Sequence, residues 1–231
     1  MLCPMPVRLR PSAPIAADAI LVGDPGRALL LAQELLEKPR MSNHARGLWG
    51  YTAPTAGGGE LTIQATGMGG PSAALVLADL AELGVRRAVR VGTCAAFGAD
   101  ARAGELLLAR AALAAGGSAA SFGVGSGEAV SPDPKLFERL RVALGPGARA
   151  ATVASLDTMP ADAAAAGAAA ADMQTLAVFA RSRELGIAAA AVLIVTEAER
   201  GTALDDEAME AAARRAGKAA AGALSNPQVE G

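Results

Sequence analysis

The chain is predicted to be an α/β protein with a mixed or mostly parallel sheet covered by helices. Three observations carry this. Short apolar runs alternate with helical patterns from Ala19 to Leu224, the order expected when helices pack on the faces of a sheet. At 231 residues the chain can bury one sizeable core, so a single domain over 1-231 is expected, with residues 1-17 as an arm and 225-231 as a tail. Gly23, Met68, Arg90, Asp157 and Glu197 fall at or just after the carboxyl ends of the expected strands, where open α/β sheets keep their ligand crevices.

The first expected strand is Ala19 to Val22, running into Gly23-Asp24-Pro25-Gly26-Arg27 and a helix over Ala28 to Lys38. Strand, glycine turn and helix in succession offer backbone N–H groups to a phosphate. Asn43 to Tyr51 then holds the chain's one His, one Trp and one Tyr, the mark of a surface or interface patch or of a functional loop. Gly57-Gly58-Gly59 reads as a hairpin turn before a strand over Leu61 to Ala65. Gly67-Met68-Gly69-Gly70-Pro71-Ser72 precedes a helix over Ala73 to Leu83. It is no dinucleotide fingerprint, because Pro71 and Ser72 stand where the last glycine spacing belongs.

Further elements follow in order. Strands are expected over Glu105 to Arg110, Ala150 to Ser155 and Ala188 to Val195, and helices over Lys135 to Leu144 and Asp205 to Leu224. Residues 116-127, rich in Gly and Ser, read as a flexible loop. The alanine run over 161-171 favours helix on propensity, and Asp172-Met173-Gln174 is expected to open the helix that runs to Leu185.

Composition removes several function classes. A net charge of -2 argues against nucleic acid as the main partner. No apolar run approaches the roughly 20 residues of a membrane span, and Met1-Leu2-Cys3-Pro4 lacks the basic and apolar regions of a signal peptide. Two cysteines and one histidine speak against a disulfide framework, a metal centre and a His-based triad. A cytoplasmic, metal-free protein is expected.

The stretch Val89-Arg90-Val91-Gly92-Thr93-Cys94 concentrates the chemistry. An arginine on an apolar strand is costly to bury unless an anion or a carboxylate meets it. Gly92-Thr93 is expected to let the backbone turn and to offer an N–H and a hydroxyl beside the guanidinium. Two readings stand open here: half of a phosphate site, or a strand arginine paired with a carboxylate.

Taken together, Gly23-Asp24-Pro25-Gly26-Arg27, Asn43-His44-Ala45-Arg46-Gly47, Gly67-Met68-Gly69-Gly70-Pro71-Ser72 and Arg90-Val91-Gly92-Thr93-Cys94 resemble the hexameric purine nucleoside and uridine phosphorylases. Asp157-Thr158-Met159, Asp172-Met173-Gln174 and Val195-Thr196-Glu197 extend the match in the family's order over about residues 19-200. The resemblance implies a partly barrel-like sheet and phosphate-dependent cleavage of a nucleoside's N-glycosidic bond, leaning to purines, with inorganic phosphate as co-substrate and no cofactor. It implies a phosphate site from Gly23, Arg27, Arg90 and Thr93, completed by Arg46 of a neighbouring subunit in a homo-oligomer. It places Met68, Met173 and Gln174 at the ribose, and Cys94, Ala95, Met159, Thr196 and Glu197 at the base.

Glu197 and Arg90 are the expected catalytic residues. Three departures accompany the match: Gln174 stands for a ribose-binding Glu, Met159 for a stacking Phe, and Glu197 for an Asp. The family's N-terminal His is absent, leaving Val7, Arg8 or Arg10 in that region. Uridine phosphorylase, nucleosidase and a non-catalytic binding homologue are the alternatives.

Overall fold

The computed structural model describes residues 8–146, 148–158, 167–199 and 203–225. Strand β1 (Asp18–Val22) is apolar and buried on both faces from Ala19 onward, as a central parallel strand must be. The chain then turns into α1 (Pro25–Leu35), whose cap is Asp24: its carboxylate accepts the Arg27 N–H at 2.7 Å, and Pro25 fills the first turn. Cap and proline start this helix earlier than its apolar pattern alone indicates. It ends at Leu35, because Leu36 bridges to Thr55 instead.

Strands β2 (Arg40–Asn43), β3 (Gly50–Pro54) and β4 (Glu60–Ala65) form an antiparallel meander. There follow α2 (Gly69–Glu82), β5 (Arg87–Ala96), β6 (Leu106–Ala114), β7 (Ala129–Val130) and α3 (Pro134–Leu144). Then come β8 (Arg149–Ser155), β9 (Ala170–Asp172), α4 (Thr175–Leu185), β10 (Ala188–Ala198) and α5 (Asp206–Ser225).

Pairing gives the sheet its shape. β5 pairs in parallel with β10, β10 antiparallel with β6, and β6 in parallel with β8. β8 then pairs in parallel with β9, and β9 returns antiparallel to β5, closing a ring of five strands. From β5 the sheet continues open through β1, β4, β3 and β2. The result is a mixed sheet, part barrel and part open, with helices on both faces.

Strand alternation sorts side chains into two layers. In β1, Ala19 and Leu21 face α2 and α4, while Ile20 and Val22 face α1, α3 and α5. The contribution of α5 is a stripe of alanines from Ala212 to Ala223, small enough for close approach. At Gly217 a Cβ would lie 2.6 Å from Leu31 Cδ2, so α5 and α1 touch there only because that position is glycine.

Other segments differ from expectation as well. Gly92 and Thr93 do not turn the chain; β5 continues to Ala96, so the glycine serves another purpose, described below. Ala170 and Ala171 are strand, because pairing to both β5 and β8 outweighs alanine's modest helix preference. Asp172 ends that strand, and α4 begins only at Thr175. Within 116-127, Gly117–Phe122 forms a 3-10 turn anchored by Asp157, whose carboxylate accepts the Ser118 N–H at 3.0 Å and the Ser118 hydroxyl. Those two bonds hold the Asp157 carboxyl below its usual range. No helix is long and apolar enough to cross a membrane among the described residues.

Candidate active site

The carboxyl ends of β1, β5 and β10, the loop before α2 and the loop before α4 enclose a cavity of about 630 Å³. Gly23, Arg27, Arg90 and Thr93 line it. So do Met68, Met173, Gln174, Cys94, Ala95, Thr196 and Glu197. Eleven of the thirteen residues expected at the site therefore meet in one space. Arg46 lies elsewhere: it is exposed in the left-handed region at φ 60°, in the short turn Ala45–Gly47 between β2 and β3. Met159 lies outside the described residues.

Of the two open readings of Arg90, the carboxylate partner is present in the fold. Arg90 is 4 % exposed, and its Nη2 donates to Asp172 Oδ2 at 3.0 Å. Nη1 donates to Gln174 Oε1 at 2.6 Å and Nε to Thr175 Oγ1 at 3.4 Å. The guanidinium is thus paired with a carboxylate and also faces the cavity. Each terminal nitrogen keeps a second proton for an acceptor there.

Gly92 lies two residues along on the same face of β5. A Cβ there would sit 2.5 Å from Arg90 Nη2 and 2.6 Å from Cζ. The missing side chain is the room the guanidinium occupies.

The counter-charge is itself fully engaged. Asp172 Oδ1 accepts the Ser155 hydroxyl at 2.6 Å, and Ser155 Oγ accepts the Leu176 N–H at 2.9 Å. Oδ2 accepts the Thr175 hydroxyl at 2.6 Å, and the Thr175 N–H points at both carboxylate oxygens. A carboxylate at the start of α4 also meets the positive end of the helix dipole. One buried network thereby joins β8, β9, α4 and β5.

Gln174 extends that network to the opposite wall. Its Nε2 donates to Gly67 O at 2.7 Å and to Gly69 O at 3.1 Å, and its Oε1 lies 3.1 Å from Thr66 Oγ1. Thr66 in turn holds β1 through Val22 O, its N–H at 2.7 Å and its hydroxyl at 3.0 Å.

Arg27 is the contrast to Arg90. Its guanidinium makes no hydrogen bond or ion pair among the described residues. Burial lowers its pKa from the ordinary arginine value, Asp24 opposes that shift, and the nearby positive charge of Arg90 adds to it. Two guanidiniums within electrostatic reach of each other, one of them unpaired, make a place that an anion relieves.

The β5–β10 register slips between Val195 and Glu197, a bulge that presents Thr196 and Glu197 side by side. Thr196 Oγ1 donates to Cys94 O at 3.3 Å. Glu197 is exposed and carries no hydrogen bond among the described residues. Cys94 is buried, and burial with Asp172 nearby pushes its thiol far above the ordinary value, so it remains protonated. Met68, 88 % exposed, stands free at the mouth rather than packed in the core.

Arg8 and Arg10 do not line the cavity. Asp79 of α2 accepts the N–H groups of Arg8 and Leu9 and pairs with the Arg8 guanidinium at 3.2 Å, while the Arg10 N–H goes to Asn43 Oδ1 at 2.8 Å.

Sequence reasoning missed Asp172, Thr175, Ser155 and Thr66. A signal existed for the first: Asp172 is the only acidic residue between Asp162 and Glu184, and Arg90 required a counter-charge. The hydroxyls carried no such mark.

Several relatives of the chain share one name. Purine nucleoside phosphorylase DeoD-type of Oceanobacillus iheyensis is 39% identical over 99 residues, 42% of this chain and 42% of the relative. Proteins of the same name from Clostridium perfringens and Geobacillus kaustophilus are 40% identical over 96 residues and 39% over 99. The matched stretch spans only about two-fifths of each relative's length. A family profile described as the phosphorylase superfamily matches residues 18–226. With the cavity at the carboxyl ends of the strands and that match over nearly its whole length, the chain belongs to the phosphorylase superfamily.

Proposed function

We propose that the protein is a nucleoside phosphorylase, a pentosyltransferase that cleaves a nucleoside, preferably a purine nucleoside, with inorganic phosphate. The observation that carries this reading is the unpaired Arg27 guanidinium beside Arg90 in a cavity that Glu197 also lines. Phosphate is held by Arg27, by the free protons of Arg90, by the Thr93 hydroxyl and by the backbone at Gly23, through charge-assisted bonds worth about 1.5–3 kcal/mol each.

A phosphate oxygen forms the new bond to the sugar's anomeric carbon as the bond to the base nitrogen breaks. The electron pair leaves with the base, which takes a proton. The sugar carries positive charge in between, and the bound anion stabilises it. Met68 and Met173 supply apolar walls for the sugar. Thr196 and Glu197 face the base, with Glu197 as the group that hydrogen-bonds to or protonates it. The shared name of the relatives supports the purine preference.

The charge balance supports a homo-oligomer. Arg27 and Arg90 face Asp24, Asp172 and Glu197 in the same cavity, so a dianion needs a further cation. Arg46, exposed on its turn, supplies it to a second copy in a dimer or a trimer of dimers working in the cytoplasm.

A phosphorolysis screen over purine and pyrimidine ribo- and deoxyribonucleosides tests the reading. Phosphate-dependent release of free base with sugar 1-phosphate is expected, fastest for purines. Cleavage without phosphate would mark a nucleosidase, and phosphate binding without turnover a non-catalytic homologue.

A further inference from the structure

We propose that Gln174 is a positioning residue that couples the Arg90 guanidinium to the Gly67–Gly69 loop, and that its amide is not a sugar ligand. The proposal rests on the phosphorylase reading for its functional consequence, though not for its structural content.

The orientation of the amide is dictated by its partners. Arginine has only donors, so the amide oxygen must face Arg90 Nη1, 2.6 Å away. The carbonyls of Gly67 and Gly69 only accept, so the nitrogen must face them, and both of its protons are spent there, at 2.7 and 3.1 Å. The oxygen's remaining side faces the Thr66 hydroxyl at 3.1 Å. At 3 % exposure the amide has no donor left and little acceptor surface to offer a sugar hydroxyl.

A carboxylate in this place would bond differently. It would keep the bond to Arg90 but present negative oxygens to two carbonyls, with no N–H for either. Gln is thus the residue type that can accept from an arginine on one side and donate to two backbone oxygens on the other. The loop it holds carries Met68 at the cavity mouth and leads directly into α2. Gly67 and Gly69 both adopt positive φ, 72° and 80°, so the loop's shape depends on these ties rather than on regular secondary structure. Anion site and sugar wall are therefore held in register by one side chain.

The test uses the full chain with Gln174→Met, which removes every amide bond, and Gln174→Glu, which keeps an acceptor for Arg90 but no donors. Hydrogen exchange over residues 66–74 should rise at least tenfold in both variants, while the interior of α4 stays protected. Titration with inorganic phosphate should show at least tenfold weaker binding to Gln174→Met. The KM for nucleoside should rise or stay level in Gln174→Glu. Unchanged exchange over 66–74 in both variants would overturn the proposal. So would a lower nucleoside KM in Gln174→Glu with phosphate affinity kept, the pattern of a sugar ligand. Failure of the wild-type protein to bind phosphate or to turn over would instead remove the phosphorylase reading, and the exchange result would still decide the latch.

Discussion

Arg90 and Gly92 share one face of one strand, and the guanidinium of the first fills the space where a side chain on the second would stand, 2.5 Å from the ideal Cβ position. Gly92→Ala should therefore push the guanidinium off Asp172 and Gln174. An overpacking cost of about 1–3 kcal/mol is expected, read by urea denaturation, together with at least tenfold weaker phosphate binding by calorimetry. Wild-type affinity in that variant would mean that the guanidinium can serve from another position.

The Arg90–Asp172 pair should behave as a buried pair. Asp172→Ala leaves a guanidinium without its counter-charge and should cost about 3–5 kcal/mol. Arg90→Met combined with Asp172→Leu removes both charges, and should lose less stability than the sum of its single changes while abolishing phosphate binding. Chemical denaturation of the four proteins in the cycle gives the coupling; simple additivity would contradict it.

Arg27 should separate function from stability. Because its guanidinium is half-buried beside Arg90 with no ion pair among the described residues, Arg27→Met relieves a repulsion rather than breaking a bond. The melting temperature should hold or rise slightly, while phosphate affinity should fall about 100-fold, as expected for one or two lost charge-assisted bonds. A large loss of stability would mean that Arg27 has a structural partner.

Cys94 should make the protein sensitive to alkali. Folding holds its thiol well above the ordinary value of 9.0, chiefly by burial. Above pH 9 the unfolded chain loses this proton and the folded protein keeps it, so the folded state binds more protons. Stability from this group is intact below pH 9 and declines above it, by up to about 1.4 kcal/mol per pH unit. Urea denaturation at pH 7.5 and pH 10 should show a smaller decline for Cys94→Ala than for the wild type.

Much of the site was legible in the sequence because its ligands sit in short strand-to-turn segments. Gly23 and Arg27 follow one strand, and Arg90 and Thr93 lie on another, so local pattern brought them to the same edge of the sheet. Gln174 was readable as a position but not as a contact. Its role depends on the distance from β9 to the Gly67–Gly69 loop, over a hundred residues apart in the chain. Ser155 and Thr175 were not legible at all, since a hydroxyl that satisfies a buried carboxylate has no sequence signature of its own.

By itself the sequence determined the alternation of strand and helix, the glycine turns after β1 and before α2, and the need for a partner to a charge on an apolar strand. Only the tertiary structure decided which partner that was. Asp172 meets Arg90 because β9 pairs with β5 and closes the barrel, a pairing that overrides the helix preference of the alanines before it. Local preferences of a few tenths of a kcal/mol per residue shape single elements. A ring of paired strands and a buried ion network act across the whole chain, and their partners are chosen only when the elements pack.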